Sequence, residues 1–260
     1  MSLEPPGGGH YGETSMPIRK WALPIANVVG LIACVAPGAA FALSGHPIKL
    51  MGQEYDPGKE CVANAEWVQG IGLPGDPTDR ADTGFILQKQ CPTSTNASSI
   101  GVFKFNRLKP LMLDDIPQLG FDFKNDDDGV LANCNGGATY FQLLVSDGAD
   151  GNYFYFGPGC QEEGLQQVDT PIDGWTRVRI SLDRFTPQFR CNRKCTEFID
   201  GEVPPITDLP GNAHVTFLQL AFDQGPDQSP NSEDSHIVLD NILVGDEVIG
   251  RGKAKRPSSH

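Results

Sequence analysis

The chain has 260 residues, a formal net charge of −13 at pH 7 and 39% hydrophobic residues. Such an acidic surface repels nucleic acid and anionic membranes, so these two classes of partner are excluded and cations or neutral ligands are favoured. The length is sufficient for one all-β domain with a sizeable core, and it does not require two domains.

The first 42 residues differ in composition from the rest of the chain. Arg19 and Lys20 precede an apolar run that ends in the small-residue tripeptide AFA at 40–42. This order is typical of a secretory signal peptide, which we predict to be cleaved after Ala42. A transmembrane anchor is the alternative, but prolines, glycines and alanines dilute the run.

A second processing signal overlaps the first. The tetrapeptide LIAC at 31–34 resembles the lipid-attachment box of bacterial lipoproteins, so anchoring through Cys34 is an alternative to cleavage after Ala42. The residues after Cys34 stay apolar, whereas a lipid-anchored chain usually continues with a polar tether. We therefore rank the lipoprotein second.

These signals divide the chain into three parts. We predict an upstream extension plus signal peptide over 1–42, a single β-sandwich domain over 43–250, and a basic disordered tail over 251–260. The mature chain then has no transmembrane segment. The predicted location is secreted, which means periplasmic or extracellular.

Cysteine usage agrees with export. Cys34 belongs to the signal region, and six cysteines follow it: Cys61, Cys91, Cys134, Cys160, Cys191 and Cys195. An even number in an exported chain predicts three disulfides, for which fifteen pairings exist; pairing sequence neighbours (61–91, 134–160 and 191–195) is the simplest. Half a zinc site at 191–195 is the alternative, but no second cysteine pair or histidine pair completes it.

Strand-like segments dominate the remaining chain in order. They are rich in β-branched and aromatic residues, and clusters of Gly, Asn, Asp and Pro separate them. No segment holds helical periodicity over a dozen residues. The pattern predicts an all-β fold, an antiparallel β-sandwich of jelly-roll type. The predicted strands are 84–90, 100–108, 119–124, 139–145, 152–157, 175–182, 215–222 and 236–249.

Alternation along these strands separates a core set from an outer set. We assign Val178, Ile180 and Leu220 to the core and an unusually aromatic, hydrogen-bonding set to the outside. Sugar rings stack on aromatic side chains, while Arg and Gln bond hydroxyl groups. We therefore predict that one outer face binds a neutral or weakly acidic saccharide; its residues are Tyr153, Tyr155, Trp175, Arg177 and Arg179. The alternative is that a loop covers this face and that the two arginines pair with acids of the same sheet.

The last strands resemble a known class of domain. GWTRVRISLDRF, followed by FLQLAFD and IVLDNILV, spans 174–249 and is similar to the end of a galactose-binding-like jelly roll. Many extracellular carbohydrate-binding modules share that fold. The segment from NCNGGATYFQLLVSDG to YFYFGPGC also resembles exported bacterial proteins of unassigned role. The resemblance implies a secreted, non-catalytic carbohydrate-binding protein that acts on a polysaccharide or glycan at or outside the cell surface.

Asp240 lies in the middle of the apolar strand 236–249, where a carboxylate loses its hydration unless another group replaces it. In many of the resembling modules the aspartate of the last strand's Asp-Asn pair binds a structural calcium ion, which implies calcium at Asp240. An ion pair with an arginine, or hydrogen bonds from turn amides, is the alternative. The acidic segment NDDDG at 125–129 also resembles a calcium loop, but Lys124 occupies the first ligand position, so a solvated turn is the better interpretation.

The sequence contains no recognisable arrangement of catalytic residues. The Glu-x-Asp-x-x-Glu spacing of jelly-roll glycan hydrolases does not occur, and His46, His214 and His236 have no identifiable Ser or Cys partner. We therefore predict that the protein is not an enzyme. A structural or adhesive envelope protein that binds protein partners is the first alternative to glycan binding, and a glycan hydrolase or lyase is the second.

Overall fold

Two antiparallel β-sheets packed face to face make up the fold in the computed structural model of the chain. The structure describes residues 48–59, 61–75, 82–105, 110–124, 139–148, 151–160, 165–169, 174–225 and 235–249. This architecture confirms the predicted β-sandwich of jelly-roll type. The predicted signal peptide, the segment NDDDG and the basic tail lie outside the described residues.

Strands are numbered in chain order and divided between sheets A and B. Sheet A contains β1 (Lys49–Tyr55), β4 (Ser98–Lys104), β5 (Leu111–Met112), β7 (Tyr140–Ser146), β8 (Asn152–Phe156), β11 (Thr186–Cys191), β12 (Phe198–Ile199) and β13 (His214–Phe222). Sheet B contains β2 (Ala63–Gln69), β3 (Thr83–Lys89), β6 (Gln118–Lys124), β9 (Gln166–Asp169), β10 (Trp175–Ser181), β14 (Ser235–Val244) and β15 (Glu247–Ile249).

The strand order shows how distant parts of the chain become neighbours. Sheet A runs β1-β4-β13-β7-β8-β11-β12, with β5 also paired to β13. Sheet B runs β2-β3-β14-β6-β10-β9, with β15 also paired to β14. Single 3₁₀ turns are found at Leu113–Asp115, Leu182–Arg184 and Ile206–Asp208. Within the described ranges, no helix has the length and apolar character needed to cross a bilayer.

The core lies between the two sheets and follows the predicted alternation on most strands. Val178 and Ile180 of β10 and Leu218 and Leu220 of β13 are fully buried in it. At one end of the sandwich β1 crosses β2 so closely that a Cβ on Gly52 would lie 1.5 Å from the Ala65 carbonyl oxygen. Only glycine fits at this crossing, which joins the edges of the two sheets.

A bulge in β14 explains why apolar residues flank both sides of its aspartate. The register with β6 shifts between Asp240 and Leu243, and Asn241 adopts a left-handed φ of 44°, which asparagine tolerates better than most residues. The extra residue changes the phase of the alternation, so Leu239 and Ile242 both face the core while Asp240 points to the outside of sheet B.

Two of the predicted disulfides are confirmed. Cys61 pairs with Cys91 and Cys191 pairs with Cys195. Cys160 is also disulfide-bonded, whereas Cys134 lies outside the described residues. The Cys61–Cys91 bridge ties the start of β2 to the end of β3, and the Cys191–Cys195 bridge closes a short loop after β11.

The two described disulfides should differ in their effect on stability. The Cys61–Cys91 bridge spans 30 residues and the Cys191–Cys195 bridge spans 4. Chain-entropy arguments therefore predict that replacing Cys61 and Cys91 by alanine costs about 3–4 kcal/mol of unfolding free energy, roughly 1–2 kcal/mol more than the same change at 191 and 195. Urea denaturation of both double variants measures the difference, and an equal or reversed loss would contradict it.

Candidate functional site

The five residues predicted to share a saccharide-binding face lie on two different sheets. Tyr153 and Tyr155 belong to β8 of sheet A, whereas Trp175, Arg177 and Arg179 belong to β10 of sheet B. The prediction that they form one surface is therefore wrong. The strand order, rather than the alternation within each strand, decides which side chains meet.

The tyrosines of β8 face the core instead of the outside. Tyr155 is fully buried, and its hydroxyl donates to the Pro204 carbonyl oxygen at 3.0 Å; the Tyr153 hydroxyl donates to the Asp147 carboxylate at 3.0 Å. Burial raises the pKa of both phenols above the usual range. A phenol packs in a core when its hydroxyl finds an acceptor, so β8 turns its two tyrosines inward and Phe154 outward.

The outer face of β10 carries an ion-pair network. Asp122 of β6 is fully buried, and Arg177 binds it through two nitrogens, Nε to Oδ1 at 2.8 Å and Nη2 to Oδ2 at 2.8 Å. Arg179 Nη1 lies 3.6 Å from the same carboxylate and donates to the Val178 carbonyl oxygen at 2.7 Å. These arginines therefore pair with an acid of their own sheet, as the alternative interpretation of the sequence proposed.

Asp240 is held by backbone amides from two segments. It lies opposite Asp122 and is fully buried. Its Oδ2 accepts the Leu73 amide at 2.7 Å, and its Oδ1 accepts the Asn241 amide at 2.7 Å. The Asn241 side chain in turn donates to Asp122 Oδ2 at 3.0 Å. The loop that contains Leu73 is thereby fastened over the outside of sheet B.

This arrangement does not fit a calcium ion at Asp240. Amide hydrogens point at both carboxylate oxygens, which is how a protein binds an anion rather than how it shares a carboxylate with a hard cation. Among the described residues, no group of three or more His, Cys, Asp and Glu side chains is placed to hold a metal ion. Calcium at Asp240 thus remains a prediction of the sequence alone.

Chelation separates the two accounts of Asp240. Because protein donors already satisfy both oxygens, we expect EDTA to leave the melting temperature of the wild type unchanged and Asp240→Ala to lower it regardless of calcium. Differential scanning calorimetry with and without chelator measures this. A drop on chelation that added calcium reverses, and that Asp240→Ala abolishes, would restore the calcium site, since bound metal stabilises a folded protein by mass action.

Removing Arg177 should expose the cost of a buried carboxylate that loses its bidentate partner and keeps only Asn241 and the more distant Arg179. Arg177→Met takes the bidentate partner from Asp122, and we expect a loss of about 3 kcal/mol of unfolding free energy. Arg193→Met, at an exposed position, is the matched control and should change stability little. In a double-mutant cycle, Asp122→Asn combined with Arg177→Met should cost less than the sum of the two single changes. Additive costs would show that the pair does not interact.

The outer face of sheet A carries a continuous row of rings, the aromatic ladder (Tyr140, Phe156, Phe154, Phe189 and Phe198). The ring centroids of successive members lie 5.5, 5.3, 4.7 and 5.0 Å apart. The ladder crosses β7, β8, β11 and β12, which are neighbours in the sheet. Phe198 at its end is 53% exposed. Leu144, Cys191 and Cys195 pack against it.

A chain of hydrogen bonds, the polar chain (Gln219, Gln142, Tyr140 and Asp223), begins at the other end of the ladder. The Gln219 amide nitrogen donates to the Gln142 amide oxygen, and these residues lie directly opposite each other on β13 and β7. Tyr140 hydrogen-bonds both Gln142 and Asp223. Gln142 and Gln219 are each only 8% exposed, whereas Tyr140 is partly exposed. The face thus combines accessible rings with a largely buried amide pair that reaches it beside Tyr140.

Asp223 is the titratable member of the polar chain. Its burial raises the carboxyl pKa to about 6, although the Lys89 ammonium and the Tyr140 hydroxyl both act in the opposite direction. Its Oδ1 is buried and has no hydrogen-bond partner among the groups that the structure describes. Burial and the nearby Asp223 charge raise the pKa of Tyr140, so the phenol is neutral throughout the physiological range.

The sequence interpretation missed most of this face. The alternation that puts Leu220 in the core leaves Gln219 outside, and the same alternation in TYFQLLV places Tyr140 and Gln142 there as well. Phe189 and Phe198 carry no such signal, because β11 begins TPQF with a proline and β12 has only two residues. Their position depends on strand pairing between distant parts of the chain.

Comparison with known proteins finds similarity among solved structures. No protein-family model and no curated protein sequence matches the chain. Among solved structures, the family 11 carbohydrate-binding module of the cellulase Lic26A-Cel5E of Clostridium thermocellum is similar at 12% identity and a TM-score of 0.36, over 80% of this chain and 91% of that one. The family 11 module from Clostridium thermocellum in complex with a β-1,3-1,4-mixed-linked tetrasaccharide gives 12% identity and a TM-score of 0.37, over 80% of this chain and 100% of that one. Both belong to the class of domain that the last strands resemble, but TM-scores this low establish no common geometry, so the function rests on the side chains of this chain.

Proposed function

We propose that this is a secreted, non-catalytic carbohydrate-binding protein whose binding surface is the outer face of sheet A. The single observation that supports this most strongly is the aromatic ladder with the amide pair of Gln142 and Gln219 beside its first ring. Sugars present flat C–H faces that stack on rings and hydroxyls that bond amides, so this combination suits a saccharide better than a purely apolar partner.

Exposure and charge agree with a neutral ligand. Tyr140, Phe156 and Phe189 are partly exposed and Phe198 is half-exposed. The rings themselves carry no charge. At one end of the face Lys49 lies opposite Lys104 on the neighbouring strand. The ladder runs from β7 to the β12 edge of sheet A, and this lysine pair lies at the opposite, β1 edge. A neutral or weakly acidic chain that crosses the strands would therefore meet the rings on one half of the face and the lysine pair at the far edge.

The disulfides support the proposed location outside the cytoplasm. Structural disulfides form and persist in oxidising compartments, and Cys191, which belongs to the Cys191–Cys195 bridge, is itself fully buried against the ladder. The proposed binding face therefore contains a bridge of the kind that forms in an exported protein.

Substitution within the ladder tests the proposal. The intact exported protein is titrated by calorimetry with neutral oligosaccharides, including a β-1,3-1,4-mixed-linked tetrasaccharide, and with an oligogalacturonide as the acidic probe. Phe189→Ala and Phe156→Ala should each weaken the best-bound probe by about 1–3 kcal/mol, as expected for central stacking contacts. Val248→Ala, an apolar residue that is 48% exposed on sheet B, is the matched control and should bind like the wild type.

The proposal fails if the folded wild type binds none of the probes, or if both ladder variants keep wild-type affinity with an unchanged circular dichroism spectrum. Self-association without glycan affinity, measured by sedimentation, would favour the structural or adhesive alternative. Release of reducing ends from any probe would favour the hydrolase or lyase.

A further inference from the structure

A buried lysine fixes the end of β13 to sheet B. Lys89 at the end of β3 is fully buried. Its ammonium donates to the carbonyl oxygens of Thr93 at 3.3 Å, Thr95 at 3.0 Å and Asp223 at 2.8 Å. Three acceptors match the three N–H groups of an ammonium. The backbone of Asp223 is therefore held across the sandwich by a residue of the opposite sheet.

The side chain of Asp223 points from this fixed backbone into the polar chain. Asp223 follows the last residues of β13, whose Ala221 lies opposite Tyr140, and its carboxylate accepts from the Tyr140 hydroxyl. An ionised carboxylate can only accept hydrogen bonds. Tyr140 must then donate to Asp223, and its oxygen is left to accept from the Gln142 amide nitrogen.

The same requirement continues along the chain. If the Gln142 nitrogen donates to Tyr140, its amide oxygen faces Gln219, and that oxygen accepts from the Gln219 nitrogen as observed. An amide group has nearly the same shape in its two orientations, so the network rather than packing decides which end points where. Each member of the polar chain has one orientation only as long as the terminal group cannot donate.

We propose that Asp223 is a positioning residue that sets the donor and acceptor polarity of the Gln142–Gln219 pair, and with it the hydrogen-bonding pattern that the edge of this pair and the partly exposed Tyr140 offer to a saccharide on the outer face of sheet A. The inference rests on the proposed function for its saccharide, but the orientation of the polar chain exists without one. Lys89 holds Asp223 in place, and Tyr140 connects the polar chain to the aromatic ladder through its ring contact with Phe156.

Protonation of Asp223 should relax this polarity. With a pKa of about 6, the carboxylate is ionised above that pH and accepts only; below it, the carboxyl gains a proton that it can donate to Tyr140, so the chain can reverse. The titratable and charged groups acting on it are Lys89 from β3 and Tyr140 from β7. Affinity for a saccharide is therefore expected to fall as the pH drops through about 6.

Nuclear magnetic resonance of the ligand-free protein tests the orientation directly. In the wild type, the side-chain amide signals of Gln142 and Gln219 and the ring carbon signal next to the Tyr140 hydroxyl should titrate together with a midpoint near pH 6. In Asp223→Asn, which keeps the shape but can donate, these signals should not titrate. Asp246→Asn, at an exposed position in the turn before β15, is the matched control and should titrate like the wild type. Independent or absent titration in the wild type overturns the inference, whether or not any variant folds.

Binding supplies the second measurement. The ligand is the β-1,3-1,4-mixed-linked tetrasaccharide or the best-bound probe of the panel. Asp223→Asn should weaken the affinity about tenfold at pH 7.5, and its affinity should not change between pH 7.5 and 5. Asp223→Glu should restore part of the affinity and part of its pH dependence. Equal affinity of the wild type and Asp223→Asn at both pH values contradicts the inference and leaves the proposed function standing. If the signals titrate together but no probe binds, the proposed function fails and the orientation of the polar chain by Asp223 stands.

Discussion

The outside of sheet B is organised by one constraint: Asp122 and Asp240 lie opposite each other on neighbouring strands, and neither side chain is exposed. Two buried carboxylates are tolerated only if donors replace the lost water. Arg177 supplies two donors to Asp122, and the Leu73 amide supplies one to Asp240. The loop over this face and the bulge at 241 provide the amides that Asp240 accepts.

Local patterns were sufficient to predict eight strand segments, which match β3, β4, β6, β7, β8, β10, β13 and β14, and the core side of most of them. They did not predict β1 and β2, although each has seven residues. The alternation in β10 and β13 correctly separated Val178 and Leu220 from their outward neighbours. It failed on β8, where aromatic residues occupy both alternating positions. Hydrophobicity alone cannot decide whether Tyr155 or Phe154 faces the core. The deciding factor is an acceptor for the tyrosine hydroxyl, the Pro204 carbonyl oxygen, which lies 49 residues along the chain.

The candidate site was less predictable because non-local pairing creates it. The polar chain joins β7 to β13, and Lys89 reaches the carbonyl of Asp223 across 134 residues of sequence. The sequence shows a lysine at the end of a strand and an aspartate after another, both of which are ordinarily solvated. Only the strand order reveals that the first is buried and that the second adjoins Tyr140. The question raised by Asp240 was answered in the same way, by an amide 167 residues away.

The position of the Cys191–Cys195 bridge links the aromatic ladder to the oxidation state of the chain. Both cysteines pack with Leu144 and Phe154 beneath the end of the aromatic ladder, and Cys195 has a left-handed φ of 51°, which is unfavourable for a residue with a side chain. A reduced chain lacks the covalent link that holds this turn against the rings. Under the proposed function, the end of the ladder gains this covalent support only in a compartment that oxidises thiols, so redox state as well as strand pairing decides how firmly the binding face is held.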